Sequence, residues 1–142
     1  MDVRAYIWRL LHDGSITVVG LEGDTLIVFV SIPYLRGRLT PLGDSFALRL
    51  LGFRSVEIAD GDGKTISTNL ADLSNNGLEI LGTESDSVPV KVLTTRGHLL
   101  LDFDALEVFL DTGRKVDVVE IDTASTAYWT EWEAQIGRKT DA

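Results

Sequence analysis

The chain of 142 residues contains no cysteine and only two histidines, three prolines and one methionine. Without cysteine it can form no disulfide, no thiolate nucleophile and no cysteine-ligated zinc site. Its longest apolar run, residues 26–30, is far shorter than the roughly 20 residues that a membrane-spanning helix needs. Cysteine-based metal sites are therefore excluded, and we expect no cofactor and no membrane insertion.

The N-terminal segment lacks the uninterrupted apolar core of a signal peptide, because Arg4, Arg9, His12 and Asp13 break it. A cytoplasmic, soluble protein is the resulting expectation. Hydrophobic residues make up 44% and charged residues 25%, as in ordinary globular chains, and the length suits one domain. No repeat, linker or low-complexity tract divides the sequence, so we predict a single domain over residues 1–142.

Cations are scarce, and the net charge is −9. Residues 1–54 carry six arginines against five acids, whereas residues 55–142 carry seven cations against seventeen acids. Such a surface repels phosphate backbones and attracts basic proteins. We predict that the protein binds no nucleic acid and that its partner is a basic protein or a second copy of the chain. Arg36 and Arg38 around a glycine offer a small anion site as a weaker alternative.

Short runs of Val, Ile, Leu, Phe and Thr, separated by Gly, Asp, Asn and Ser, dominate the pattern and indicate β-strands. The predicted strands are residues 15–21, 25–32, 45–59, 78–83, 88–95, 98–110 and 115–121. The long segment 45–59 changes its apolar parity near Gly52, which predicts a kink there. Pro89 lacks a backbone donor and predicts an edge strand or a bulge.

Three segments have helical patterns. Residues 2–14 and 122–137 each place apolar side chains on one stripe and end at a glycine, while residues 69–77 suit one turn. Strands at a spacing of roughly 8–12 residues, with no alternation of strand and helix, favour antiparallel architecture. The predicted fold is mainly β, an antiparallel sandwich or barrel of about 8–10 short strands flanked by an N-terminal and a C-terminal helix.

Two short motifs resemble functional sites. The stretch EIADGDGKTI, residues 57–66, places Asp60 and Asp62 at two positions of a calcium loop but lacks its first ligand and its closing carboxylate. It is better explained as a turn between strands, because Asp-Gly pairs favour positive φ. The stretch HDGS, residues 12–15, cannot form a triad from neighbouring residues and indicates a helix end before a strand.

The most informative region lies between His98 and Gln135, where nine acids face only Arg114 and Lys115. Asp102, Asp104 and Glu107 are the candidate interaction residues of a predicted acidic face. Paired carboxylates are also the tools of acid–base catalysis. On a strand, His98 shares one face with Asp102 and Asp104, which leaves a carboxylate and histidine metal site as an alternative.

The C-terminal helix carries Tyr128, Trp129 and Trp132. Aromatic residues at helical spacing usually pack a helix onto a sheet. Because Trp and Tyr are also enriched at interface hot spots, these three complete the candidate interaction surface.

The function favoured by these patterns is a non-catalytic, acidic protein–protein interaction module. One version is an inhibitor or immunity-type protein that masks a basic enzyme. A β-barrel or sandwich with an apolar ligand pocket between sheet and C-terminal helix is the alternative. A carboxylate- or metal-dependent enzyme is the third hypothesis, and no residue is assigned a catalytic, metal-binding or cofactor-binding role.

Overall fold

The computed structural model describes residues 2–75 and 77–140, and side-chain surroundings are given below only for residues 2–73 and 77–137. The helices are α1 (Val3–Leu10), α2 (Pro33–Arg36), α3 (Leu70–Asn75) and α4 (Val118–Thr140). The strands are β1 (Ser15–Glu22), β2 (Thr25–Ser31), β3 (Ser45–Leu51), β4 (Ser55–Ala59), β5 (Thr65–Ser67), β6 (Ile80–Thr83), β7 (Val90–Thr94), β8 (Gly97–Asp102), β9 (Ala105–Leu110) and β10 (Lys115–Val116). None of the described helices is both long and apolar enough to span a bilayer.

The strands form two five-stranded sheets in which every pair is antiparallel. The first sheet has the order β1-β2-β3-β9-β10, and the second has the order β5-β4-β8-β7-β6. The prediction of a mainly β, antiparallel sandwich with a helix at each end is confirmed. The sheets stay open and do not close into a barrel.

One hydrophobic core joins the two sheets and α1. In β2 and β3 every second side chain is buried, which is the period-2 pattern of a strand with one inward face. Ile7, Trp8 and Leu11 of the first helical segment are fully buried in the same core. Each such side chain stabilises the fold by about 1.5–3 kcal/mol relative to exposure.

The chain passes between the sheets at two neighbouring points. Gly52, with φ +65°, separates β3 in the first sheet from β4 in the second. Asp104 lies between β8 in the second sheet and β9 in the first, and its N–H donates to the carbonyl of Leu51 at 2.8 Å. The segments 45–59 and 98–110, each predicted as one strand, are therefore two strands each. The kink expected at Gly52 is confirmed, because that residue starts the crossing.

The last helix begins four residues earlier than the sequence pattern predicted. Residues 115–121 were predicted as a strand, but only Lys115 and Val116 pair with β9. The carboxylate of Asp117 accepts from the N–H of Val119 at 2.9 Å, which caps the first turn of α4. Asp117 and Glu120 have the spacing of a capping box, a local signal for a helix start that competes with the β-branched run.

Three smaller predictions have different outcomes. Residues 34–44, which lie between two predicted strands and hold no predicted helix or strand, contain part of the short helix α2, which Pro33 starts at its first position. The edge prediction for Pro89 is wrong, because β7 lies inside the second sheet and Pro89 precedes it. The helix end at HDGS is confirmed, although the positive φ of 71° belongs to Asp13 and not to a glycine.

Candidate functional site

Helix α4 packs mainly on the two helices beside it, α1 and α2. Its aromatic residues had predicted packing onto a sheet, and the structure differs from that prediction. The hydroxyl of Tyr6 on α1 donates to the carboxylate of Asp122 at 3.0 Å, and the ring of His12, which follows α1, stacks on Trp129 further along α4. Helix α2 contacts α4 on another side. The aromatic residues of α4 thus lie beside α1 and α2.

Five rings meet there and form what we call the aromatic cluster, consisting of His12, Tyr34, Tyr128, Trp129 and Trp132. The ring of His12 stacks on Trp129 with centroids 5.4 Å apart. Tyr34 and Tyr128 have centroids 4.4 Å apart, and Trp129 meets Trp132 edge-on at 5.7 Å. Offset and edge-to-face pairs of this kind stabilise by about 0.5–1.5 kcal/mol beyond area burial.

Hydrogen bonds and charge hold the inner part of the aromatic cluster in place. The hydroxyl of Tyr34 donates to the carbonyl of His12 at 3.1 Å. Burial, with the nearby Asp13 carboxylate and Tyr128, raises the pKa of Tyr34 to about 12. The guanidinium of Arg38 lies 5.3 Å from the Tyr128 ring centroid and also forms an ion pair with Glu131. Arg38 is therefore occupied by contacts with Tyr128 and Glu131 of α4 and does not form an open anion site.

Beyond this inner part, α4 becomes more exposed, although the carboxylate of Glu131 still pairs with Arg38. Every side chain of residues 131–137, here called the distal segment, is exposed. Trp132 is 45% exposed and Ile136 is 42% exposed, although both continue the apolar stripe that predicted the helix. The seven residues extend the helix by roughly 10 Å. The structure thus brings Tyr128 and Trp129 against the body and leaves Trp132 open to solvent.

The three acidic candidates lie at the other end of α1. Arg54 forms ion pairs with both Asp102 and Asp104, and Lys115 lies 3.0 Å from Glu107. The hydrogen bonds from Arg54 lower the pKa of Asp102. A general acid requires the opposite shift, since its pKa must rise toward the working pH. Each candidate carboxylate is therefore matched by a cation within the chain.

The remaining motifs also have structural explanations. The carboxylate of Asp60 accepts from the N–H groups of Asp62 and Lys64, both at 2.9 Å, and Gly63 has φ +82°. The predicted turn between β4 and β5 is confirmed. Across the described residues, no three His, Asp or Glu side chains come together in a group that could hold a metal ion. His98, Asp102 and Asp104 therefore do not form such a group.

Sequence reasoning missed His12 and Tyr34 as parts of the aromatic cluster and Arg38 as its cationic neighbour. Each is about 90 or more positions away from its partner on α4, and no local pattern marks such a pair. In the sequence, His12 belongs to the HDGS stretch and Arg38 to a candidate anion site, and neither pattern indicates a contact with α4. Their common location follows from the packing of α1 and α2 beside α4.

A second feature lies on the outer face of the first sheet. A depression of about 280 Å³, open to solvent, is lined by Ile27, Phe29, Ala47, Phe109 and the side chain of Arg49, among others. The Nε of Arg49 is buried and has no hydrogen-bond partner among the described residues. Asp111 also lines the depression, so one cationic and one acidic side chain border the same apolar surface.

Comparison of the chain with protein-family models, with curated proteins and with solved structures finds no significant match.

Proposed function

We propose that this protein is a non-catalytic protein–protein interaction module that binds its partner through the distal segment of α4 and the adjoining aromatic cluster. The observation that supports this proposal is the exposure of Trp132 on a helix whose preceding aromatic residues are anchored to the body. Large exposed apolar side chains on an ordered element are characteristic of interaction surfaces.

The energetic reason is the apolar area that Trp132 would bury. A tryptophan side chain has roughly 150–250 Å² of contact area, and nearly half of Trp132 faces solvent. Covering that part in a partner groove stabilises a complex by on the order of 2 kcal/mol. The Trp129 ring already restricts one side of Trp132, so little side-chain freedom is lost on binding.

The charge of the distal segment favours a basic partner. Glu133 beside Trp132 is exposed, whereas Glu131 on its other side pairs with Arg38, and the whole chain carries a net charge of −9. Complementary charge accelerates encounter and sets the register of docking. A protein that inhibits a basic enzyme, such as an immunity-type protein, is one form of this function. The acidic residues Asp102, Asp104 and Glu107 contribute less, because Arg54 and Lys115 already pair with them.

The test compares two exposed positions of one helix. Immobilised protein would be exposed to a lysate of its source organism at low salt, and the captured proteins would be eluted with salt and quantified. We expect a stoichiometric basic protein that binds wild type and the Val119→Ala variant but not Trp132→Ala. Val119 is 71% exposed but lies at the start of α4, so its truncation is the matched control.

Thermal melting of both variants would show whether the fold is retained. Equal capture by Trp132→Ala and wild type would refute the proposal, as would the absence of any specific, salt-released protein.

A second candidate function is the binding of a small apolar anion in the depression on the first sheet. The buried, unsatisfied Nε of Arg49 is the observation that favours it. The probe is anilinonaphthalene sulfonate, which combines an apolar body with an anionic group. Saturable fluorescence enhancement that is lost in Arg49→Met would support this function, and enhancement that persists in Arg49→Met would count against it.

A further inference from the structure

The side of the first sheet that points away from the core is largely apolar. Side chains alternate along β2, β3 and β9, and Val28, Leu48 and Val108 are buried in the core. The alternate side chains are partly exposed and define what we call the outer face: Ile27, Phe29, Ala47, Arg49, Glu107 and Phe109. The depression of about 280 Å³ opens on this face. A solvated sheet face normally carries polar residues at such positions.

The second sheet shows the normal pattern on the side that points away from the core. Glu57 lies between two buried residues of β4, and Lys91 lies between two buried residues of β7. Both charged residues flank Leu100 of β8 across the sheet. The first sheet therefore differs from the second in having an apolar surface that a partner could cover.

Strand pairing arranges the outer face in two rows. The first row consists, in order across the sheet, of Phe29, Ala47 and Phe109, with Lys115 of β10 beyond them. The second row consists of Ile27, Arg49 and Glu107. Between β3 and β9, the first row thus sets a small side chain beside a large one, and the second row sets a cation beside an anion.

The charges of this surface balance, although the chain has a net charge of −9. Arg49 and Lys115 are cationic, whereas Glu107 and Asp111, which lines the depression, are acidic. Lys115 pairs with Glu107 at 3.0 Å, but the Nε of Arg49 is buried and has no hydrogen-bond partner among the described residues. Because a buried donor without an acceptor is unfavourable, the occupant of this face should supply an acceptor such as a carboxylate.

We propose that the outer face packs against the outer face of a second copy of the chain, with a two-fold axis that runs along the strands between β3 and β9. A two-fold contact requires a self-complementary surface. Rotation about this axis places Arg49 opposite Glu107 of the second copy, and it places Ala47 opposite Phe109 of the second copy. Sheets that pack face to face lie about 10 Å apart, within reach of these side chains.

Both contacts suit the side chains that form them. The carboxylate of Glu107 supplies the acceptor that Arg49 lacks within its own chain. A large ring over a small side chain fills the space between two sheets. Since the outer face is nearly neutral, two copies can meet here without the repulsion that acidic surfaces of the chain would cause.

The small anion of the second candidate function would occupy the same depression, so the two occupants exclude each other. A second copy matches both signs of charge on this surface. An anion would satisfy Arg49 but would also meet the acidic Asp111. The charge pattern therefore favours the second copy.

Charge reversal tests the proposed contacts. Arg49→Glu sets two acids opposite each other, and Glu107→Arg sets two cations opposite each other, which both disfavour association. In sedimentation velocity we expect wild type at twice the chain mass and each of these variants at the chain mass. The matched controls, Lys91→Glu and Glu57→Arg, reverse the same charges on the second sheet and should remain dimeric.

Mixing the two single variants separates contacts between copies from contacts within one chain. Arg49 and Glu107 are also neighbours across β3 and β9, and this pair has like charges in each variant. Across the axis of a mixed dimer, however, both contacts join opposite charges. An equimolar mixture of Arg49→Glu and Glu107→Arg should therefore recover the dimer mass. A mixture that stays at the chain mass would overturn the proposal.

The mass of wild type is a readout that needs no variant, and a monomeric wild type would overturn the proposal. If this monomer enhanced anilinonaphthalene sulfonate fluorescence and lost the effect in Arg49→Met, the face would instead bind a small anion. The contact does not involve the distal segment of α4, so Trp132→Ala should remain dimeric even where it loses its basic partner. Dissociation of Trp132→Ala, or dimers that persist in both Arg49→Glu and Glu107→Arg, would also overturn the proposal.

Discussion

The guanidinium of Arg36 lies 2.7 Å from the carboxylate of Asp111 and is fully buried. It also donates to the carbonyls of Ser45 and Leu39, while the other oxygen of Asp111 accepts from the N–H groups of Asp44 and Ser45. The pair thus ties the helix α2 to the turn that follows β9. Tyr34 lies on α2 and Arg38 follows it, so this buried ion pair stabilises the position of the aromatic cluster.

Removal of the carboxylate in Asp111→Ala should destabilise the protein by about 3–5 kcal/mol, because a buried guanidinium is left without its counter-charge. Asp62→Ala, on the exposed β4–β5 turn, should change the free energy of unfolding by no more than about 0.5 kcal/mol. Urea unfolding of both variants would measure the difference. Similar midpoints for the two variants would show that the ion pair contributes little.

Acid should weaken the fold through the same residue. Burial raises the pKa of Asp111, but hydrogen bonds from Asp44 and Arg36 outweigh it and leave the pKa below its usual value. A carboxylate with a lowered folded-state pKa stabilises the protein above its unfolded pKa, and this contribution is lost as pH falls through the folded value. Unfolding measured from neutral to acid pH should show a shallower loss in Asp111→Asn than in wild type. Parallel curves would contradict this.

Alkaline pH should act on Tyr34. Its pKa of about 12 in the folded state exceeds the value of about 10 in an unfolded chain, so the neutral phenol stabilises the fold. This contribution is complete below about pH 10 and is lost as pH rises toward 12. Tyrosinate absorbance should therefore show a titration near pH 12 that is absent in Tyr34→Phe. A Tyr34 that titrates near pH 10 would disprove its burial.

The crossing between the sheets should depend on Gly52. Its φ of +65° is unfavourable for other residues, and an added Cβ would also collide with the side chain of Asp104. Gly52→Ala should cost about 1–3 kcal/mol. Gly61→Ala, at an open position without positive φ, should be neutral or stabilise by up to about 1 kcal/mol. Thermal melts of the two alanine variants test this contrast, and equal shifts would argue against strain at the crossing.

Calcium should have no effect on the Asp60 turn. The carboxylate of Asp60 already accepts two backbone N–H groups, and the Asp62 side chain is exposed. Millimolar calcium should leave the melting temperature unchanged. A rise of several degrees that disappears in Asp62→Ala would reveal a metal site at this turn.

Local patterns in the sequence were sufficient for the class of fold. Alternation in β2 and β3, the turn residues at Gly23 and Asp60, and the helical stripe of α4 depend on interactions between near neighbours. The same patterns failed where two local signals competed. The β-branched run after Lys115 suggested a strand, but the cap at Asp117 and the packing of α4 on α1 and α2 favour a helix.

The sequence by itself determined an acidic chain without cysteine, rich in short strands, with aromatic residues on its last helix. Only the tertiary structure decided which charges stay unmatched, since the partners of Asp102, Asp104 and Asp111 are arginines more than forty positions away. It likewise decided that Trp129 is anchored while Trp132 is exposed, although both lie on one helix. The reason is physical: the pairing of charges and the covering of apolar faces depend on the distances between elements, and these distances arise only when the sheets and helices pack.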